Sequence, residues 1–75
     1  MKLWLIERHE DDVGYDESAG FVVRAETEHA ARVLASKRRR GDENPSVWLD
    51  QNESSCEQIT EEGDEAVILT DFKAG

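Results

Sequence analysis

The sequence has few of the residues that stabilise small domains covalently or that mark membrane segments. It contains one cysteine, Cys56, so no disulfide can form within the chain, which favours a reducing, cytoplasmic setting. The apolar run at residues 3–6 is too short for a signal-peptide core or a membrane span. We therefore expect neither a disulfide-stabilised secreted protein nor a membrane-embedded one.

Metal-binding and catalytic patterns are equally scarce. The soft ligands His9, His29 and Cys56 lack the number and the paired spacing of a structural zinc site. The acidic run at 11–17 lacks the alternating ligands, the sixth-position glycine and the distal glutamate of a helix-loop-helix calcium site. Cys56 could pair with either histidine as a nucleophile, but so short a chain has little room for a pocket. We predict no metal, no cofactor and no enzymatic activity.

Length and composition indicate one small domain. At 75 residues, with 37% hydrophobic and 36% charged residues, the chain has enough apolar side chains for a thin core. We interpret residues 1–75 as a single small acidic domain with a few kcal/mol of net stability, roughly, as expected for this size.

The net charge of −9 is concentrated in the second half of the chain. Residues 1–40 contain eight acids and eight bases, whereas residues 41–72 contain ten acids and no base. Such a field attracts basic partners and repels nucleic acid. From this half we select seven carboxylates as candidate partner-binding residues: Asp50, Glu53, Glu57, Glu61, Glu62, Asp64 and Glu65.

Two interpretations of this acidic block stay open. It is either a solvated surface that maintains solubility or a set of carboxylates that imitates a phosphate backbone and occupies a basic groove on another protein. The basic run at 37–40 is better explained as a helix end whose cations also pair with nearby acids than as a phosphate contact, so direct nucleic-acid binding is not expected.

Residue patterns predict the order ββαββ. Strands are predicted at 2–8 and, by alternation, at 20–26, followed by a helix over 28–40 that Thr27 caps. On this helix Ala30, Ala31, Val33, Leu34 and Ala35 form the predicted buried face, with Glu28, Arg32, Ser36 and Arg39 opposite. Further strands are predicted at 46–50 and 66–72, with residues 52–63 as a loop.

The expected fold is therefore α+β, a two-layer ββαββ arrangement in which one helix packs on one face of a four-stranded sheet. The right-handed crossover rule places the second and third strands side by side and parallel. One helix covers one face, so we expect the other face to expose apolar side chains. Trp4, Ile6 and Trp48 are the candidate anchors for a partner or for a homodimer.

Three segments of the sequence resemble a known class of proteins. They are the opening Met1–Arg8, the strand Gly20–Glu26 that leads into a Thr-Glu-capped, alanine-rich helix, and the ending Val67–Gly75. Together they resemble small uncharacterised accessory proteins of tailed bacteriophages and prophages. The resemblance implies expression in the cytoplasm of a bacterial host and a role in phage–host interplay, and it supplies no functional residues. Small acidic phage proteins include inhibitors of host defence, such as anti-CRISPR proteins.

The resulting functional hypothesis is a phage-type protein-binding module that inhibits or modulates a host protein with a basic surface. The alternative, from a different class, is a structural or self-associating phage component that forms a homodimer without any inhibitory role.

Overall fold

A computed structural model describes residues 1–9, 19–38 and 44–70 of the chain. Its elements are β1 (Lys2–Arg8), β2 (Gly20–Ala25), α1 (Glu28–Arg38), α2 (Ser46–Leu49) and β3 (Ser54–Ile59). The three strands form one antiparallel sheet in the order β2-β1-β3. Both outer strands are antiparallel to β1, so they run parallel to each other with β1 between them.

The first strand occupies the centre because its apolar run serves both faces of the sheet. Register pairs Ile6 with Phe21 on one side and with Cys56 on the other. These side chains face the helices, and Ile6 is in the core. The opposite face carries Leu3 and Leu5, in agreement with the alternation that a pleated strand imposes.

The helix α1 begins where its sequence predicts. The Thr27 hydroxyl accepts a hydrogen bond from the Ala30 amide at 3.1 Å, which satisfies one of the free donors of the first turn. Glu28 lies in that first turn, and Lys37 and Arg38 lie in the last, each favourable to the helix dipole. The remaining residues predicted for the helix end, 39 and 40, lie outside the described residues.

The core is small, as expected for this length. It consists of Ile6, Ala25, Ala31, Ala35 and Trp48, with partly buried apolar neighbours around it. The Phe21 ring meets the Trp48 ring edge-on, with centroids 4.9 Å apart. Because alanines line α1, the helix approaches the sheet closely and Trp48 fills the space that remains.

The predicted four-stranded ββαββ sheet is wrong. Residues 46–49, predicted as a strand, form the short helix α2, because Pro45 adopts a helical conformation (φ −59°, ψ −25°). Asn44 Oδ1 accepts from the Ser46 amide at 3.0 Å at the same point. Proline suits the first turn of a helix as well as the start of a strand, so it did not discriminate between the two.

The third strand instead lies at Ser54–Ile59, within the segment predicted as a loop. Its side chains are mostly polar, and its pairing with β1 decides its conformation. The predicted fourth strand at 66–72 is also wrong over the residues that the structure describes, 66–70. Residues 66–70 form neither helix nor strand, and 71–72 lie outside the described part. The second and third strands were predicted to lie side by side and parallel. In the structure β1 lies between β2 and β3, which are the two edge strands.

Candidate protein-binding surface

The seven candidate carboxylates, here called the acidic group, all lie on the surface. Asp50 and Glu53 flank the turn between α2 and β3, and Glu57 lies on β3. The remaining members, Glu61, Glu62, Asp64 and Glu65, lie in the irregular segment 60–70. All seven fall within residues 50–65 of the chain.

The carboxylates of the acidic group make no ion pair with any described residue. Their local contacts are backbone turns. Asp50 Oδ1 accepts from the Asn52 amide at 2.8 Å, and the Thr60 hydroxyl donates to the Glu62 carbonyl at 3.3 Å. Gly63 has a φ of 131°, which side-chain-bearing residues rarely adopt, and it separates Glu62 from Asp64. Within the described residues, the acidic group therefore has no neutralising cation in an ion pair.

Exposed apolar residues follow directly after these carboxylates. Val67 is 81% exposed, Ile68 57% and Leu69 48%. A run of three exposed branched aliphatic side chains is uncommon on a small soluble surface, and it indicates a contact site. The segment 60–70 thus combines exposed carboxylates with exposed apolar side chains.

The three predicted apolar anchors have other positions. Ile6 and Trp48 are fully buried in the core, and Trp4 is half-buried. The Trp4 indole Nε1 donates to the Ala25 carbonyl at 3.0 Å, which joins β1 to the end of β2. These side chains hold the fold together, and the exposed apolar residues of the described chain lie elsewhere.

The most consequential difference from the predicted helix faces is a buried charged residue. Arg32, predicted on the solvent face of α1, is 5% exposed. Its Nε donates to Glu28 Oε2 at 2.9 Å, and its terminal nitrogens donate to the Trp48 carbonyl at 3.1 Å and to Ser54 Oγ and O at 2.9 and 3.0 Å. Arg32 therefore ties α1 to the end of α2 and to the start of β3.

The face of α1 that packs inward is accordingly displaced from the prediction. Arg32 and Ser36 are buried beside Ala31 and Ala35, whereas Leu34, predicted inside, is exposed. The Glu28–Arg32 spacing of four residues was visible in the sequence as a helical ion pair. Nothing in the sequence indicated that backbone carbonyls of α2 and β3 would complete the set.

A shallow cleft lies beside this junction, and it gives little support to catalysis. It has a volume of about 510 Å³, opens to solvent, and is lined by Glu28, His29, Arg32, Leu49, Asp50 and Gln51. The guanidinium of Arg32 is already engaged on all three nitrogens, so it offers little to a ligand. Within the described residues no group of three or more His, Cys, Asp or Glu side chains could hold a metal ion.

The thiol of Cys56 is half-buried near the same junction. Burial raises its pKa, the Glu28 carboxylate raises it further, and Arg32 opposes both. A raised thiol pKa lowers the thiolate fraction at neutral pH, which is the opposite of what a nucleophilic cysteine needs. The described environment suits a small packing side chain.

Two global findings complete the description. Among the helices of the described residues, none has the length and apolar character needed to cross a membrane. Comparison of the chain with protein-family profiles, with curated protein sequences and with solved structures finds no match.

Proposed function

We propose that this chain is a protein-binding module that uses its acidic group to attract a partner with a basic surface. The observation that carries the proposal is the exposure of all seven carboxylates, none of which forms an ion pair with a described residue. Four of them are concentrated in residues 61–65, immediately before the exposed run Val67–Leu69. Charge and apolar area therefore lie on one short segment.

The electrostatics favour association over stability. Unpaired carboxylates repel each other, so their concentration costs folding free energy, while their combined field accelerates encounter with a positively charged surface. Grooves that bind nucleic acid have such a surface, and closely spaced carboxylates imitate the charge of a phosphate backbone. The resemblance to phage accessory proteins supports a bacterial host protein as the partner, with inhibition or modulation as the outcome.

The test has two stages. The tagged chain is used to isolate partners from a bacterial lysate, beside a variant in which the four carboxylates of 61–65 are neutral (Glu61→Gln, Glu62→Gln, Asp64→Asn, Glu65→Gln). The association rate of the purified partner is then measured against salt concentration. We expect the neutral variant to associate about tenfold more slowly in low salt and to lose most of its salt dependence.

A matched control keeps the number of charges equal. Glu61→Gln removes one member of the acidic group, and Glu26→Gln removes one exposed carboxylate elsewhere, whose partner is the N-terminal amine at 3.7 Å. Only the first should slow association. Equal effects of the two single variants, or an unchanged rate in the fourfold variant, would show that the acidic group does not attract the partner.

A further inference from the structure

The outer edge of β2 lacks a partner strand among the described residues. The sheet order β2-β1-β3 leaves β2 at one edge, with six residues, Gly20–Ala25, whose outward backbone groups are unpaired in the sheet. Such an edge accepts a further strand through main-chain hydrogen bonds. Beside this edge Val22 is 54% exposed, and Arg24 is exposed without an ion pair in the described residues.

The sequence of residues 65–69 matches this edge in one antiparallel register. When Glu65 is placed opposite Arg24, Val67 falls opposite Val22 and Ile68 falls opposite Phe21. Cross-strand neighbours share a face, so Glu65 and Val67 join the face that carries Leu3, while Ile68 joins the face that carries the helices. This register gives one opposite-charge pair and three apolar pairs, the third being Ala66 opposite Val23.

Other registers lose this match. A shift of two residues sets Val67 against Arg24. A shift of one sets Ala66 against Arg24, which loses the opposite-charge pair, or sets Asp64 against Arg24 and Glu65 against Val23, which places a carboxylate on the face that carries the helices. A parallel strand with Glu65 at Arg24 places Gly63 at Val22. Among these registers, the antiparallel one with Glu65 at Arg24 combines the opposite-charge pair with apolar pairs and keeps the carboxylate off the face that carries the helices.

We infer that residues 65–69 of one copy add as an antiparallel strand to the free edge of β2 in a second copy, and that the exchange is reciprocal. Each copy carries both halves of the contact, so a two-fold dimer forms two identical pairings at once. Within one chain these residues stay without a strand partner, with Val67 the most exposed of the three aliphatics. Ile68 then covers Phe21, which already packs on Trp48.

The first test is the oligomeric state of the full chain across concentrations by sedimentation equilibrium. We expect a reversible dimer with a dissociation constant of about 10–100 µM, the range of a small interface. The double variant Val67→Ser/Ile68→Ser should be monomeric at the same concentrations. This variant keeps every acidic residue. If it self-associates as the wild type does, the strand exchange is wrong, and the proposed function is unaffected.

The second test addresses the register. Arg24→Glu and Glu65→Arg should each weaken the dimer about tenfold, because each creates two like-charge pairs, and the combined variant should recover most of the loss. Leu34→Ser, on an exposed part of α1, is the control and should leave the dimer unchanged. Absence of recovery, or an equal loss in the control, contradicts the register.

A cross-link separates exchange between copies from pairing within one chain. With Cys56→Ser as background, Val22→Cys and Val67→Cys together should form a disulfide that joins two chains, because opposed residues of paired strands bring their Cα atoms within bonding range. A covalent dimer on a non-reducing gel supports the exchange. A disulfide confined to single chains, or a chain that stays monomeric at every concentration, refutes it.

Discussion

Charged side chains meet opposite environments in two regions of this molecule. At the junction of α1, α2 and β3, Arg32 is buried and donates to one carboxylate, one hydroxyl and two carbonyls. In residues 60–70 the carboxylates are exposed and pair with no described cation. Charge in the first region is part of the fold, because removing it would leave buried acceptors unsatisfied. Charge in the second region is available to other molecules.

The difference also separates stability from association. Buried polar groups that lose their partners cost folding free energy, whereas exposed charges mainly change long-range attraction. The variants below test that separation, first within the buried junction and then in the acidic segment.

The largest effect is expected at Trp48, which lies in the core and whose own backbone carbonyl accepts a hydrogen bond from Arg32. Trp48→Ala should cost about 4 kcal/mol through lost burial and a cavity, enough to unfold so small a domain. Circular dichroism with urea titration measures it. Trp48→Phe is the informative companion, because the indole Nε1 is buried without an acceptor among the described residues. Removing this unsatisfied N–H gains free energy that offsets part of the cost of the smaller ring. We therefore expect Trp48→Phe to lower the free energy of unfolding by about 1 kcal/mol.

Arg32→Met should be next, at about 3 kcal/mol, since it leaves the Trp48 and Ser54 carbonyls without donors in a buried site. Lys37→Met, on the same helix but exposed, is the matched control and should change the free energy of unfolding by less than about 0.5 kcal/mol. Equal effects of these two substitutions would mean that the buried junction contributes no more than a surface charge.

A smaller effect should appear at alkaline pH. The folded state raises the pKa of Cys56 above its ordinary value of 9.0, so the unfolded chain releases the thiol proton first. The free energy of unfolding should therefore be unaffected by this group below pH 9 and fall as the pH rises through the unfolded and then the folded pKa. Cys56→Ala removes this contribution. If the free energy of unfolding of Cys56→Ala falls with alkaline pH as steeply as that of the wild type, other groups cause the loss of stability.

The smallest effect on stability is expected from the acidic segment. The fourfold neutral variant of residues 61–65 should change the free energy of unfolding by less than about 0.5 kcal/mol, and any change should be a gain from reduced repulsion. Urea titration at low and high salt checks this. A loss above about 1 kcal/mol would show that these carboxylates support the fold, and the contrast between the two regions would disappear.

Local signals in the sequence determined several features of this protein. The apolar run and the alternating segment predicted β1 and β2, and Thr27 predicted the start of α1. The charge count located the acidic residues, ten of them without a base between residues 41 and 72. These features depend on neighbours along the chain, which is why residue patterns sufficed.

The tertiary structure alone decided the rest. Pairing with β1 makes a strand of the polar residues Ser54–Ile59, and a helical turn after Pro45 places Trp48 in the core. Contacts from α2 and β3 bury Arg32, which helical periodicity assigned to solvent. In each case a partner distant in sequence satisfies backbone or side-chain groups that local patterns leave open, so no local pattern could reveal it.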